Sequence, residues 1–71
     1  MVEVKVIQKG DPKSDTVKSW QSLLNLWGYN VGLPDGIFGA KTEKKTKEFQ
    51  KDYGLTQDGI VGTKTWGKML S

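Results

Sequence analysis

Seventy-one residues make one domain, and a domain of that size buries only about 60% of the surface its unfolded chain exposes, so its apolar residues must be used efficiently. The chain has no Cys and no His, which excludes disulfide stapling and thiolate chemistry and removes the commonest metal ligand and general base. Eleven positive and eight negative side chains give a net charge of +3, every cation being Lys; without Arg forks, base-specific DNA readout loses its usual contact, whereas Lys point charges suit diffuse anionic polymers.

At the N-terminus Val2, Val4 and Val6 alternate with Glu3 and Lys5, a strand period that stops at Gly10-Asp11-Pro12. A lone strand has no partner, so residues 1–10 read as an extended arm or linker and 11–71 as the domain. The segment lacks the basic start and long apolar run of a signal peptide, and no stretch approaches the roughly 20 apolar residues of a membrane span. Work outside the cell would then depend on export by a parent protein.

Ser14 is a good N-cap for a first helix running to about Trp27, with Asp15 in its first turn and Gly28 as its stop. Val17, Trp20, Leu23, Leu24 and Trp27 fall within an arc of about 120°, a core-facing stripe, and Leu26 lies opposite. A second helix is expected from about Ala40 to Tyr53, ending at Gly54, with Thr42, Thr46, Phe49 and Tyr53 as its inner line. Its other faces are charged, so Phe49 and Tyr53 must hold it. A third, short helix from about Thr63 to Leu70 offers Trp66, Met69 and Leu70, with Trp66 as the anchor.

The sequence also repeats itself. Asp35-Gly-Ile-Phe-Gly-Ala-Lys-Thr42 returns as Asp58-Gly-Ile-Val-Gly-Thr-Lys-Thr65, and an aromatic-Gln pair, Trp20-Gln21 and Phe49-Gln50, precedes each copy. A unit of helix, Gly-bearing loop, Asp-Gly turn and helix is therefore built twice. These residues, with Asn25-x-Trp27-Gly28-Tyr29, Gly54-Leu55 and Lys64-Thr65-Trp66, closely resemble the peptidoglycan-binding-like domain family over about residues 10 to 70. The resemblance implies an all-α, compact three-helix bundle whose two long Gly-rich Asp-Gly loops form a pseudo-repeat. It further implies a non-catalytic module that tethers a linked cell-wall hydrolase to peptidoglycan, outside the cell or in the wall. The chain departs from the family pattern at Lys45, where a small residue is usual, and at Thr46, where an aliphatic is usual. Trp20 and Trp27 stand where relatives commonly carry Leu.

The Asp-Gly pairs are first turn chemistry, since Asp side chains bond nearby backbone N–H groups and Gly supplies positive φ. A calcium loop fails on its ligands: Val31, Leu33 and Thr42, or Gly54, Thr56 and Thr65, would occupy the positions that need carboxylates. A glycosidase built on Asp35 and Asp58 fails because repeat-related carboxyls expect like environments, whereas acid and base roles need different ones. No enzyme activity, metal or cofactor is therefore expected. Gln21 and Gln50 lie beside their apolar lines, where an amide can reach inward to loop backbone.

Lys41 and Lys64 occupy equivalent first-turn positions, where a helix N-terminus plus an ammonium could take the carboxylates of stem peptides. Tyr29, in a loop beside Asn30, could offer a ring face to a sugar. A second helix of ~21 Å can be retraced by the connector after it, which would put both turns at one end. The candidate ligand surface is thus Tyr29, Asn30, Asp35, Lys41, Gln57, Asp58 and Lys64. The module is expected to be a monomer. The competing reading is a small protein- or nucleic-acid-interaction module using Lys44, Lys47, Lys51 and exposed Leu26, with nucleic acid the weaker choice.

Overall fold

Ser14 sets the first helix in place: its backbone is extended, φ −153° and ψ 159°, and its Oγ accepts the Val17 N–H at 3.2 Å, satisfying one donor that a helix start leaves unpaired. The computed structural model describes residues 5–71, and within them the helices are α1 (Asp15–Leu26), α2 (Ala40–Asp52) and α3 (Thr63–Met69). Each ends one residue before its expected end, because Trp27, Tyr53 and Leu70 serve as C-caps whose N–H groups still reach back to Leu23, Phe49 and Trp66. α2 and α3 begin at Gly39 and Gly62, which have no capping side chain.

Stripes from all three helices and a good deal of loop make the core. Val17, Trp20, Leu24, Phe49, Trp66 and Met69 are buried as the helical periods require, and they are joined by Ile7, Val31, Phe38 and Val61 from outside the helices. Phe49 is the hub. Trp20, Trp27 and Tyr29 meet its ring edge-on at 5.5 to 5.7 Å, and Tyr53 packs at 4.9 Å, arrangements worth about 0.5 to 1.5 kcal/mol each beyond area burial. Trp27, Tyr53 and Leu70, expected in the core, are instead 37%, 38% and 55% exposed. All three are C-caps, where the apolar stripe runs past the last residue that can cover it.

The N-terminal arm is integrated into this packing. Ile7 and Val61 exchange both backbone bonds of one antiparallel bridge, at 3.2 and 2.9 Å, while the Gly10 N–H donates to Phe38 O and the Trp66 indole donates to Lys5 O. The arm therefore ties the loop of the first unit to that of the second. Ile7 faces the core and Val6 is exposed, the reverse of the alternation read from the valines; Val2 and Val4 lie outside the described residues. Among the described residues no helix is long and apolar enough to cross a membrane.

Candidate functional site

The duplicated turns are held by duplicated glutamines. Gln21 Nε2 donates to Asp35 Oδ1, Ile37 O and Thr42 Oγ1, at 3.1, 2.9 and 3.0 Å, and its Oε1 accepts the Gly36 N–H at 2.9 Å. Gln50 repeats every contact with Asp58, Ile60, Thr65 and Gly59, at 3.1, 3.0, 3.2 and 3.0 Å. The amide orientation is dictated by its partners, since the Gly N–H can only donate and the Ile carbonyl can only accept. Two amide hydrogens face three acceptors, so one is shared. Each Asp closes its own turn too, Oδ1 accepting the N–H two residues on at 2.9 Å. The Ile37 N–H and then the Gln21 amide hold the Asp35 carboxyl below the usual carboxylate value.

Gly36 and Gly59 both have positive φ, +80° and +73°, but their surroundings differ. A Cβ on Gly36 would stand 2.8 Å from the Ser14 carbonyl oxygen, which accepts the Lys18 N–H that starts α1. On Gly59 it would meet side chains, Glu43 Cγ at 3.0 Å and Lys47 Cε at 3.2 Å. Gly36→Ala is expected to cost about 2 to 4 kcal/mol and Gly59→Ala about 1 to 2 kcal/mol. Urea denaturation of the two variants checks the order; equal losses would mean that the Ser14 contact relaxes freely.

The candidate residues are distributed over several places. Asp58 and Lys64 line one groove of about 410 Å³ with Leu55, Thr56, Ile60 and Thr63. Asp35 lines a different depression, with Lys13, Ser14, Asp15 and Lys18. Lys41 lies over the first loop, its Nζ 3.6 Å from where a Gly32 Cβ would be. Asn30 Oδ1 accepts the Gly32 N–H, and Asn25 secures the same loop through Val31 N and Gly32 O. Gln57 is exposed. Sequence reasoning passed over Lys13 and Lys18, which stand by the first turn, and Asn25, the loop's main tie.

Tyr29 is half-buried against Phe49, and its hydroxyl donates to Asp52 Oδ2 at 2.6 Å. Partial burial, followed by that hydrogen bond and the carboxylate's charge, pushes the phenol well above the ordinary tyrosine value. The pair thus adds stability that is fully present below about pH 10, the unfolded value, and is lost as pH rises through the higher folded value. In a Tyr53→Phe background, absorbance titration should show Tyr29 ionising above about 10 and moving down on Asp52→Asn. A midpoint already at the ordinary value would remove the pair from this account.

Neither turn carboxyl is positioned as a free general acid, since each binds its own loop. Among the described residues no group of three or more Asp or Glu side chains gathers as a metal cluster. The Lys-rich face of α2 is partly neutralised from within, Lys45 lying 3.3 Å from Glu48 and Lys47 4.0 Å from Glu43. The geometry offers open grooves lined by both polar and apolar groups, which suit binding.

A family model described as "Putative peptidoglycan binding domain" matches residues 13–69. The spore cortex-lytic enzyme of Bacillus cereus is 40% identical over 60 residues, covering 84% of this chain and 23% of that enzyme. The N-acetylmuramoyl-L-alanine amidase CwlM of Mycobacterium tuberculosis is 41% identical over 51 residues, covering 72% of this chain and 13% of that protein. The chain thus spans less than a quarter of the length of either relative. Among solved structures, a peptidoglycan-binding protein from Clostridioides difficile, in complex with glutamine hydroxamate, superimposes with a TM-score of 0.86 at 51% identity, covering 92% of this chain and 40% of that one. The SleB N-terminal domain gives 0.87 at 36% identity, covering 93% and 89%.

Proposed function

The chain belongs to the peptidoglycan-binding domain family, and from that premise we propose that it tethers a wall-lytic enzyme, linked to it in a longer protein, to the polymer that enzyme cuts. The observation that carries this reading is the match over residues 13–69, in a chain that covers only 13% and 23% of relatives named as an amidase and a spore cortex-lytic enzyme. Weak attachment is enough. A polymer with many identical sites raises the local substrate concentration for a linked enzyme without high intrinsic affinity. The relatives are cell-wall hydrolases, which supports action outside the cell or in the wall.

Within the candidate surface, the groove of Asp58 and Lys64 is the part best suited to a stem peptide. Lys64 supplies a cation for a carboxylate, and Asp58, with Oδ1 committed to the turn, keeps Oδ2 for an amine. Lys41, with Tyr29 and Asn30, extends the surface along the first loop, while Asp35 and Gln57 flank the two turns. Replacing Lys41 and Lys64 together by Gln should weaken pull-down on purified peptidoglycan several-fold and leave the melting temperature nearly unchanged, because exposed Lys contributes little to stability. Unchanged binding would remove both lysines from the site. Loss of binding from Lys44, Lys47 and Lys51 instead would move it to the outer face of α2.

A further inference from the structure

The C-caps of α1 and α2, Trp27 and Tyr53, each stand immediately before the glycine that ends its helix, and their rings meet at 5.4 Å and 80°. Each is more than a third exposed, whereas Trp20 and Trp66 are at 0% and 7%. Trp20 and Trp66 also give their indole N–H groups to protein acceptors, Thr46 Oγ1 and Lys5 O. Among the described residues no protein acceptor takes the Trp27 indole N–H. Both rings rest on buried Phe49, at 5.5 and 4.9 Å, so the corner they form is fixed before any ligand arrives. Lys68 Nζ lies 5.5 Å from the Tyr53 ring centroid, and the Tyr29 hydroxyl pairs with Asp52 nearby on α2.

We infer that this corner is a glycan-stacking platform, distinct from the Asp-Gly grooves, on which one amino-sugar ring of the peptidoglycan strand lies against Trp27. The inference rests on the peptidoglycan reading above and names the sugar part of that ligand. A pyranose ring has an apolar C–H face and a polar perimeter, which matches an aromatic face rimmed by donors and acceptors. Because Lys68 occupies a face of Tyr53, Trp27 is the stacking ring and Tyr53 the side wall. The Lys68 ammonium complements the carboxylate of an acidic amino sugar, and the Trp27 N–H complements a hydroxyl or acetamido oxygen. Size favours a sugar over a protein: two rings one-third exposed offer roughly 150 Å², against about 800 Å² per partner in a standard protein interface. Holding the rings on Phe49 removes most of the ordering cost of binding.

The test follows the three indole N–H resonances of the wild-type chain by nuclear magnetic resonance. Peptide-free glycan strands, prepared by amidase digestion of peptidoglycan, should shift the Trp27 resonance and leave those of Trp20 and Trp66 in place, while sugar-free stem peptide should leave all three in place. Trp27→Leu should weaken glycan binding about tenfold and leave stem-peptide binding unchanged; if that variant does not fold, the wild-type resonances decide alone. A stationary Trp27 resonance, in a chain that still pulls down on intact peptidoglycan, overturns the platform and spares the proposed function. Failure to bind intact peptidoglycan overturns both. A Trp27 resonance that moves on dilution without glycan makes the corner a contact between copies and also overturns the platform.

Discussion

Trp20→Ala should cost about 3 to 5 kcal/mol, a large share of the roughly 4 to 10 kcal/mol that a domain this size has in total, and lower the melting temperature steeply. Trp20 is fully buried, meets Phe49 at 5.7 Å and Trp66 at 5.1 Å, and donates its indole N–H to Thr46 Oγ1 at 2.9 Å. It therefore joins all three helices. Thr46 in turn donates to the Thr42 carbonyl at 2.7 Å, so the hydroxyl is satisfied on both sides. Thr46→Val keeps the volume but strands a buried indole N–H, for about 1 to 3 kcal/mol. In a Trp20→Phe background the same change should cost much less, because no indole remains to be left unpaired. Chemical denaturation followed by far-ultraviolet circular dichroism checks these values. A Trp20→Ala chain melting near the parent temperature would show that the three helices are held by something else.

Gln50→Leu should have the next largest effect, about 2 to 4 kcal/mol, through polar groups and not through volume. It leaves the buried Gly59 N–H, the Ile60 carbonyl and the Thr65 hydroxyl without their partner. Gln21→Leu should cost a similar amount at the first turn, because its contacts are the same. Gln50→Glu separates the hydrogen-bonding role from shape. The new carboxylate cannot donate to the Ile60 carbonyl, and it faces Asp58, so its folded-state pKa is raised above the unfolded value. Stability is then present at low pH and lost as pH rises through the folded value. Denaturation midpoints across pH 3 to 8 measure this; a Gln50→Glu chain as stable at neutral pH as in acid would contradict the network.

Much of this arrangement was legible in the residues. The Ser14 cap and the Gly28 and Gly54 stops bounded α1 and the end of α2 to within one residue, and the aromatic-Gln pairs pointed to amides serving the turns. Two departures from the family pattern, Trp20 and Thr46, turn out to be one feature, an indole and its acceptor. The buried loop residues Val31, Phe38 and Val61 were harder to read, because their burial comes from chain folding over distant elements and leaves no local period. Trp27 and Tyr53 were misplaced into the core because a helical wheel has no ends. At the candidate site, the Tyr29 hydroxyl finds Asp52 across 23 residues, and the Lys41 ammonium reaches over Gly32 of the first loop. Such pairings depend on how loops cross helices, which composition and spacing do not encode.

Co-sedimentation of the chain with purified insoluble peptidoglycan tests the central claim most directly. The chain should appear in the pellet, remain there as salt is raised to levels that release phosphate-bound proteins from DNA, and liberate no soluble wall fragments. A chain that stays in the supernatant with peptidoglycan, or that is retained by DNA with steep salt dependence and not by the wall, would contradict it.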